Sequence, residues 1–322
     1  MDLTSKPQHV LDIASLSSEE INSFLELGEA LKEVLKRPIP KVPTLRGRLV
    51  VLLFYEPSTR TRFSFDRAAK ALSADTLTFS AKGSSIEKGE SLLDTVKNLK
   101  AIGAELIVIR HPMEGAPHFI AKHINIPVVN AGDGTHEHPT QALLDLLTVK
   151  ERLGDFSGIK VAILGDIKHS RVAKSDILAF QKMGAKVYVS GPAYLLPTPL
   201  EEEYFRIYPG GFKVCYDPKE AIRDADVVIA LRVQKERHGK PLIPSFIEYQ
   251  TFFGLTFKEL ELIKKGALLM HPGPINWGVE LSPEVEQYPF QVILDQVENG
   301  VAIRMAILLK LLTDGKTYEV TH

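Results

Sequence analysis

Leu49-Val50-Val51-Leu52-Leu53-Phe54 is an unbroken apolar run, followed at once by Tyr55-Glu56-Pro57-Ser58-Thr59-Arg60-Thr61-Arg62. Read as a buried strand and then a helix from Ser58 to Leu72, the two stretches make a strand-turn-helix unit. The first turn of such a helix turns open backbone N–H groups and the Ser58, Thr59 and Thr61 hydroxyls toward an anion, and Arg60 and Arg62 add charge. This is the best candidate phosphate site in the chain. It holds no GxxxxGK[ST] string, so nucleotide hydrolysis is not the chemistry implied. Phe63, Phe65, Ala68, Ala69 and Leu72 supply the apolar face of the helix.

Working outward, Ser17-Ser18-Glu19-Glu20 opens a helix that runs to Lys36 and stops before Pro38 and Pro40. Downstream come a strand at 76–80, a polar loop at 81–88, a helix at 90–102, a strand at 105–110, a helix at 117–123 and a strand at 126–130. Pro139 to Arg152 reads as a buried connecting helix. A second alternating region follows: strand 159–166, helix 170–183, strands 186–190 and 212–216, helix 218–223, and strands 226–231 and 267–271. A long helix at 285–313 closes the pattern. The fold class is α/β, with two open parallel-sheet domains flanked by helices and joined by interdomain helices. The expected boundaries are 1–145, 146–288 and a C-terminal helix, 289–322, returning to the first domain.

The 322 residues are 44% hydrophobic and 25% charged, enough for two cored domains. Thirty-nine basic residues against 40 acidic ones leave a net charge of -1, which gives no sign of nucleic-acid binding. Cys215 stands alone, so an intrachain disulfide is excluded, and its apolar surroundings predict a buried thiol. Met1 to Lys6 lack the apolar core of a signal peptide, and no apolar run reaches membrane-spanning length. A soluble, cytoplasmic protein is expected.

Four further polar clusters follow strands or open helices. Arg110-His111-Pro112 ends one strand; a surface ion pair and an anion contact are both open to Arg110. In Asn130 to Gln141, two glycines allow a tight turn, and Pro139 at a helix start holds His138 and Gln141 at its amino end. His136, Glu137 and His138 invite a metal reading. Adjacent residues in extended backbone alternate in direction, however, and HExxH spacing is missing, so no metal is expected. Gly165 to Arg171 has a lone glycine, which leaves a dinucleotide fingerprint unsupported, while Lys168, His169 and Arg171 suit an acidic ligand. Arg232 and Gln234 have the two-residue spacing that points side chains the same way, apt for a carboxylate. By pattern alone, Ser84 and Lys88 are a helix cap and an exposed amine. No GxSxG elbow marks a nucleophile.

Taken together, Ser58-Thr59-Arg60-Thr61-Arg62, Arg110-His111-Pro112, His138-Pro139-Thr140-Gln141, Arg232-Val233-Gln234 and His271-Pro272-Gly273-Pro274 resemble, in unbroken order, the aspartate/ornithine carbamoyltransferase family. The resemblance is to its aspartate-specific members. It implies carbamoyl phosphate binding by Ser58, Thr59, Arg60, Thr61, Arg110, His138 and Gln141 in the first domain. It implies L-aspartate binding in the second, with Arg171 on the α-carboxylate, Arg232 and Gln234 on the side-chain carboxylate, and Lys88 alongside. Ser84 and Lys88 match a loop that enters the neighbouring subunit's site, which implies a homotrimer with shared active sites. Gly273 and Pro274 match a loop whose backbone carbonyl receives a hydrogen bond from the attacking amine. The implied catalytic groups are Arg60, Thr61, Lys88, Arg110 and His138, acting in pyrimidine synthesis without metal or organic cofactor. Family trimers stand alone or join regulatory chains or dihydroorotase.

The nearest rival is an ornithine carbamoyltransferase, which shares the phosphate half of the site. Those enzymes carry an HCLP string where this chain has His271-Pro272-Gly273-Pro274. A non-catalytic phosphate-ligand sensor is the alternative of another class, and the full set Arg60, Lys88, Arg110 and His138 argues against it.

Overall fold

The computed structural model describes residues 9–80, 89–233 and 245–313. The chain forms two compact units, one from residues 1–147 with 297–322 and the other from residues 148–296. Both divisions fall inside helices. Ser84, Lys88 and Gln234 lie outside the described residues.

The first unit alternates α1 (Ser18–Leu35), β1 (Leu49–Phe54), α2 (Thr59–Ala71), β2 (Asp75–Ser80), α3 (Leu92–Ala101), β3 (Leu106–His111), α4 (Ala116–His123) and β4 (Val128–Asp133), and then enters α5 (Pro139–Leu153). Its four strands run parallel in the order β2-β1-β3-β4. All but the first residue of β1 are buried, because helices cover both faces of a parallel sheet. The strand is therefore uniformly apolar rather than alternating. Ser17 caps α1 through a reciprocal box with Glu20, as the sequence pattern predicts.

The second unit contains β5 (Lys160–Leu164), α6 (Arg171–Lys182), β6 (Lys186–Ser190), α7 (Pro199–Arg206), β7 (Phe212–Cys215), α8 (Pro218–Ile222), β8 (Val227–Ala230), α9 (Phe246–Phe253), α10 (Phe257–Leu260) and β9 (Leu268–Met270). Its parallel order is β7-β6-β5-β8-β9. The last helix, α11 (Ile293–Leu312), begins in this unit and ends in the first. In each sheet the order reverses once, between β1 and β3 and between β5 and β8. Such reversals open a crevice at the carboxyl ends of the strands.

Two local readings change. The expected helix 285–313 is broken: residues 283–287 form a 3-10 turn, and α11 starts only at Ile293. Pro289 forces Tyr288 into extended backbone, with φ -64° and ψ 122°, which no α-helix tolerates. On α2, Phe65 is fully buried, whereas Phe63 is 57% exposed and lies under the Arg62 guanidinium, 5.2 Å from the ring centre. Two residues apart on a helix is about 200° of rotation, so only one ring can face the core. Cys215 is buried, as its surroundings predict.

Residues of α11 complete the core of the first unit. A side chain on Gly28 of α1 would meet Ile303 at 2.9 Å and Leu147 at 3.4 Å. Lys310 donates to Ser23, and its ammonium sits 4.9 Å from the Phe24 ring centre.

Phe65→Ala is expected to cost about 3–5 kcal/mol in urea denaturation of the full chain. Phe63→Ser should stay within about 0.5 kcal/mol of the unaltered protein.

Candidate active site

The start of α2 has the makings of an anion receptor. Ser58 occupies the N-cap in extended backbone, with φ -158° and ψ 98°. Its side chain makes no capping bond, and no acidic residue sits in the first turn. Thr61 is buried, Ser58 is half-buried, and Thr59 and Arg60 are exposed. The backbone N–H groups of this turn and the positive end of the helix dipole favour a phosphate.

Arg110 stands beside this turn because β1 and β3 pair Phe54 with Arg110. Its Nε donates to Glu56 Oε2 at 3.2 Å, and its Nη1 lies 3.5 Å from the Ala131 carbonyl. Both partners of the ion pair are largely shielded, with side chains 16% and 20% exposed. Of the two readings open to Arg110, the ion pair exists but is no surface feature; it aims the guanidinium along the strand ends.

The turn after β4 is held from several directions. Asn130 donates to Leu11 O and to Asp133 Oδ1, and accepts from Gly132 N. Asp133 also accepts from the Gly115 and Glu137 N–H groups. Burial pushes its carboxyl up, but hydrogen bonds from His136, Asn130 and Gly115 outweigh this and hold it below its ordinary value. Gly134 has φ +44°, and a side chain there would meet the Pro112 carbonyl at 2.9 Å, so glycine is required. His136, Glu137 and His138 diverge, although His136 sits in a turn and not in extended backbone. His136 Nδ1 turns to Asp133, Glu137 accepts from Ile13 N, and His138 Nδ1 lies 3.5 Å from Thr140 Oγ1.

The turn delivers buried His138 to the start of α5, where its carbonyl accepts from the Gln141 and Ala142 N–H groups. Gln141 donates its amide NH2 to both Asp145 oxygens, at 3.1 and 3.2 Å. That fixes the amide so that its oxygen remains available as an acceptor. Buried Arg304 of α11 donates to Ser64 at 2.9 Å and stacks 5.1 Å from the Phe65 ring centre. Burial pulls its guanidinium down to about 10 against the pull of Asp145, so it stays charged at neutral pH. Sequence reading missed Asp145 and Arg304. The signal was a lone charge inside an apolar helical run, Leu143 to Leu147 and Ile303 to Ile307.

In the second unit, Arg171 opens α6 after β5 and is buried, with Ser170 as N-cap accepting from Ala173 N. Asp166 shapes the preceding turn by accepting from His169 N at 3.0 Å, and it lies 3.0 Å from His169 Nδ1. Half-buried Arg232 follows β8, so the two arginines flank the β5/β8 reversal. After β9, His271 Nδ1 accepts from Gly273 N at 2.7 Å, which leaves Nε2 to donate to Glu280 at 3.2 Å. Gly273 has φ +62°, a left-handed backbone that suits glycine, and the peptide to Pro274 is cis. Asn276 donates to the Val233 carbonyl at 3.2 Å and its N–H donates to Glu280, tying the Gly273-Pro274 turn to the segment that carries Arg232.

The class is thus a parallel α/β protein of two units, each with cationic and polar groups at the carboxyl edge of its sheet. Comparison with known proteins gives the family. Residues 8–151 match the carbamoyl-P binding domain of aspartate/ornithine carbamoyltransferase, and residues 157–311 match its Asp/Orn binding domain. The chain is 52% identical over 298 residues to an aspartate carbamoyltransferase catalytic subunit of Desulforapulum autotrophicum, covering 92% of this chain and 93% of that one. It is 51% identical over 318 residues to one of Anaeromyxobacter dehalogenans, covering 98% and 99%. Aspartate transcarbamoylase from Trypanosoma cruzi, solved with carbamoyl phosphate and aspartate, superposes with a TM-score of 0.86 at 30% identity over 96% of both chains. Ornithine carbamoyltransferase from Pyrococcus furiosus gives 0.84 at 27% identity over 93% of this chain and 95% of that one. The chain belongs to the aspartate/ornithine carbamoyltransferase family.

Because the folded Asp133 carboxyl titrates below its ordinary value of 3.8, the stability it contributes is present above that pH and lost as pH falls through the lower folded value. Asp133→Asn should therefore flatten the acid limb of stability below about pH 4, read from denaturation midpoints across the range.

Proposed function

We propose that the chain transfers the carbamoyl group of carbamoyl phosphate to the amino group of L-aspartate, giving N-carbamoyl-L-aspartate and phosphate in de novo pyrimidine synthesis. The observation that carries the reading is the open start of α2, lined by Ser58, Thr59 and Thr61, beside an Arg110 that Glu56 and Ala131 hold in place. Relatives about half identical over nearly the whole chain, named as aspartate carbamoyltransferase catalytic subunits, support aspartate as acceptor.

Carbamoyl phosphate is a small mixed anhydride whose phosphate sits against Ser58, Thr59, Arg60 and Thr61. The neutral α-amine of aspartate attacks the carbamoyl carbon, and negative charge grows on its oxygen. Thr61, Arg110 and His138 oppose that charge, a kind of contact worth several kcal/mol when it is aimed in advance. Gln141, its NH2 committed to Asp145, offers its oxygen to the carbamoyl NH2. The C–O bond between the carbamoyl carbon and phosphate breaks, Arg60 and Lys88 stabilise the charge on the leaving phosphate, and that phosphate takes the proton lost by the amine and departs as the hydrogen phosphate dianion. No covalent enzyme intermediate is needed.

The acceptor carries two carboxylates and so requires paired cations. Arg171 takes the α-carboxylate, and Arg232 with Gln234 takes the side-chain carboxylate. The Gly273-Pro274 turn supplies a carbonyl to the incoming amine. Glu280 and Asn276 brace it, which supports a fixed carbonyl position. The proposal extends to a cytoplasmic homotrimer in which Ser84 and Lys88 complete the neighbouring subunit's site. Regulatory chains or dihydroorotase are the partners the family resemblance offers. Among the described residues, no helix is long and apolar enough to cross a membrane.

With carbamoyl phosphate saturating, aspartate should give product, while ornithine and N-acetylornithine give none above background. Preference for either ornithine compound overturns the assignment, and tight ligand binding without product favours the sensor. Arg60→Ala should lower kcat by roughly 100- to 1,000-fold. Arg171→Ala should act on the KM for aspartate, raising it about 10- to 100-fold. Mixing inactive Arg60→Ala with inactive Lys88→Ala chains should restore turnover in hybrid trimers, and hybrids that form without any recovery exclude shared sites.

A further inference from the structure

A second group of titratable side chains lies at the amino end of α4, against the turn that leads into His138. His118, in the first turn of that helix, meets Asp133 at the end of β4 and His136 in the following turn. One nitrogen of each ring and one Asp133 oxygen lie within 4.8 Å of one another. The rings meet edge to face with centres 5.6 Å apart. Asp133 is fully buried, whereas the histidine side chains are 31% and 40% exposed, so the group has a route to solvent.

Asp12 approaches from behind. Its Oδ2 lies 2.6 Å from His118 Nε2. Asp12 also accepts from Ser15 N, and a carboxylate can only accept, so the bond to His118 is donated by the ring. In the neutral ring Nε2 therefore carries the proton, and the lone pair belongs to Nδ1. That Nδ1 is buried and has no hydrogen-bond partner among the described residues. Hydrogen bonding to Asp133 accounts for His136, whose Nδ1 lies 3.1 Å from Oδ2. It does not account for His118. A carboxylate that holds one imidazole nitrogen and leaves the other's lone pair unused is the arrangement that orients metal-binding histidines.

We propose that His118, Asp133 and His136 form a site for one divalent transition ion of the zinc type, with Asp12 orienting His118 and solvent completing the coordination. Two imidazoles and a carboxylate suit such an ion; magnesium and calcium prefer oxygen alone. Bonds of about 2.1 Å place tetrahedral ligand atoms about 3.4 Å apart. Closing the present group to that size takes at most about 1.5 Å of side-chain movement, and the ion takes over the contact between His136 and Asp133. The other Asp133 contacts, from Gly115, Asn130 and Glu137, can persist. The ion would clamp α4 to the turn that leads into His138, a structural role that puts the metal in contact with no substrate.

The test uses tag-free full-length protein, stripped with a chelator and offered Zn2+ or Co2+ alone. The expected result is about one ion bound per chain after dialysis, with visible Co2+ absorption bands of a tetrahedral or five-coordinate site. His118→Ala/His136→Ala should abolish both readouts, and Asp12→Asn should weaken binding about 10- to 100-fold. Exposed His123→Ala should change neither. Should the double variant fail to fold by circular dichroism, His136→Asn alone serves, since that ring is part exposed. Binding no greater than background in the unaltered chain, or undiminished in a folded His136 variant, overturns the site.

Discussion

Every strand pairing inside the two sheets is parallel, and this one constraint organises the rest. A parallel strand cannot be joined to its neighbour by a hairpin, so the chain crosses over through a helix each time. The helices cover both sheet faces and bury the inner strands β1, β3, β5 and β8 almost entirely, while the edge strands β2 and β7 stay partly exposed. The helices also all begin at the same edge, so the polar turns after β1, β3 and β4 gather in the first unit, as do those after β5, β8 and β9 in the second. The order reversals at β1/β3 and β5/β8 then leave space there. Site chemistry follows from the crossover rule before any side chain is chosen.

What the side chains add is aim. Arg110 is held by Glu56, Gln141 by Asp145, and the turn before His138 by Asn130 and Asp133. Buried charges are costly unless paired, and both members of such a pair are strongly constrained in position. Arg304 spreads that constraint across three helices through Ser64, Phe65 and the field of Asp145. The groups nearest the proposed chemistry thus owe their geometry to residues that touch no substrate.

Much of this was legible in the sequence. The apolar runs of β1, β3, β5 and β8 marked those strands because burial on both faces leaves no alternation to confuse the reading, and Pro139 marked the start of α5 correctly. Legibility failed where a local signal was outweighed or too short to trust. Pro289 delayed the start of the expected terminal helix to Ile293. The short helices α7 and α10 went unread, although Thr198 with Glu201 and Thr256 with Glu259 form capping boxes at their starts. Asp145, Arg304 and the meeting of His118 with His136 depend on contacts between elements, which no local pattern records. The roles of Ser84 and Lys88 came from resemblance alone.

Because α11 begins in one unit and ends in the other, the first unit is discontinuous in the gene product. Its core includes Ile303 and Arg304, which follow the whole of the second unit in the chain, whereas the second unit is encoded without interruption. During synthesis the later-encoded half can therefore finish folding first.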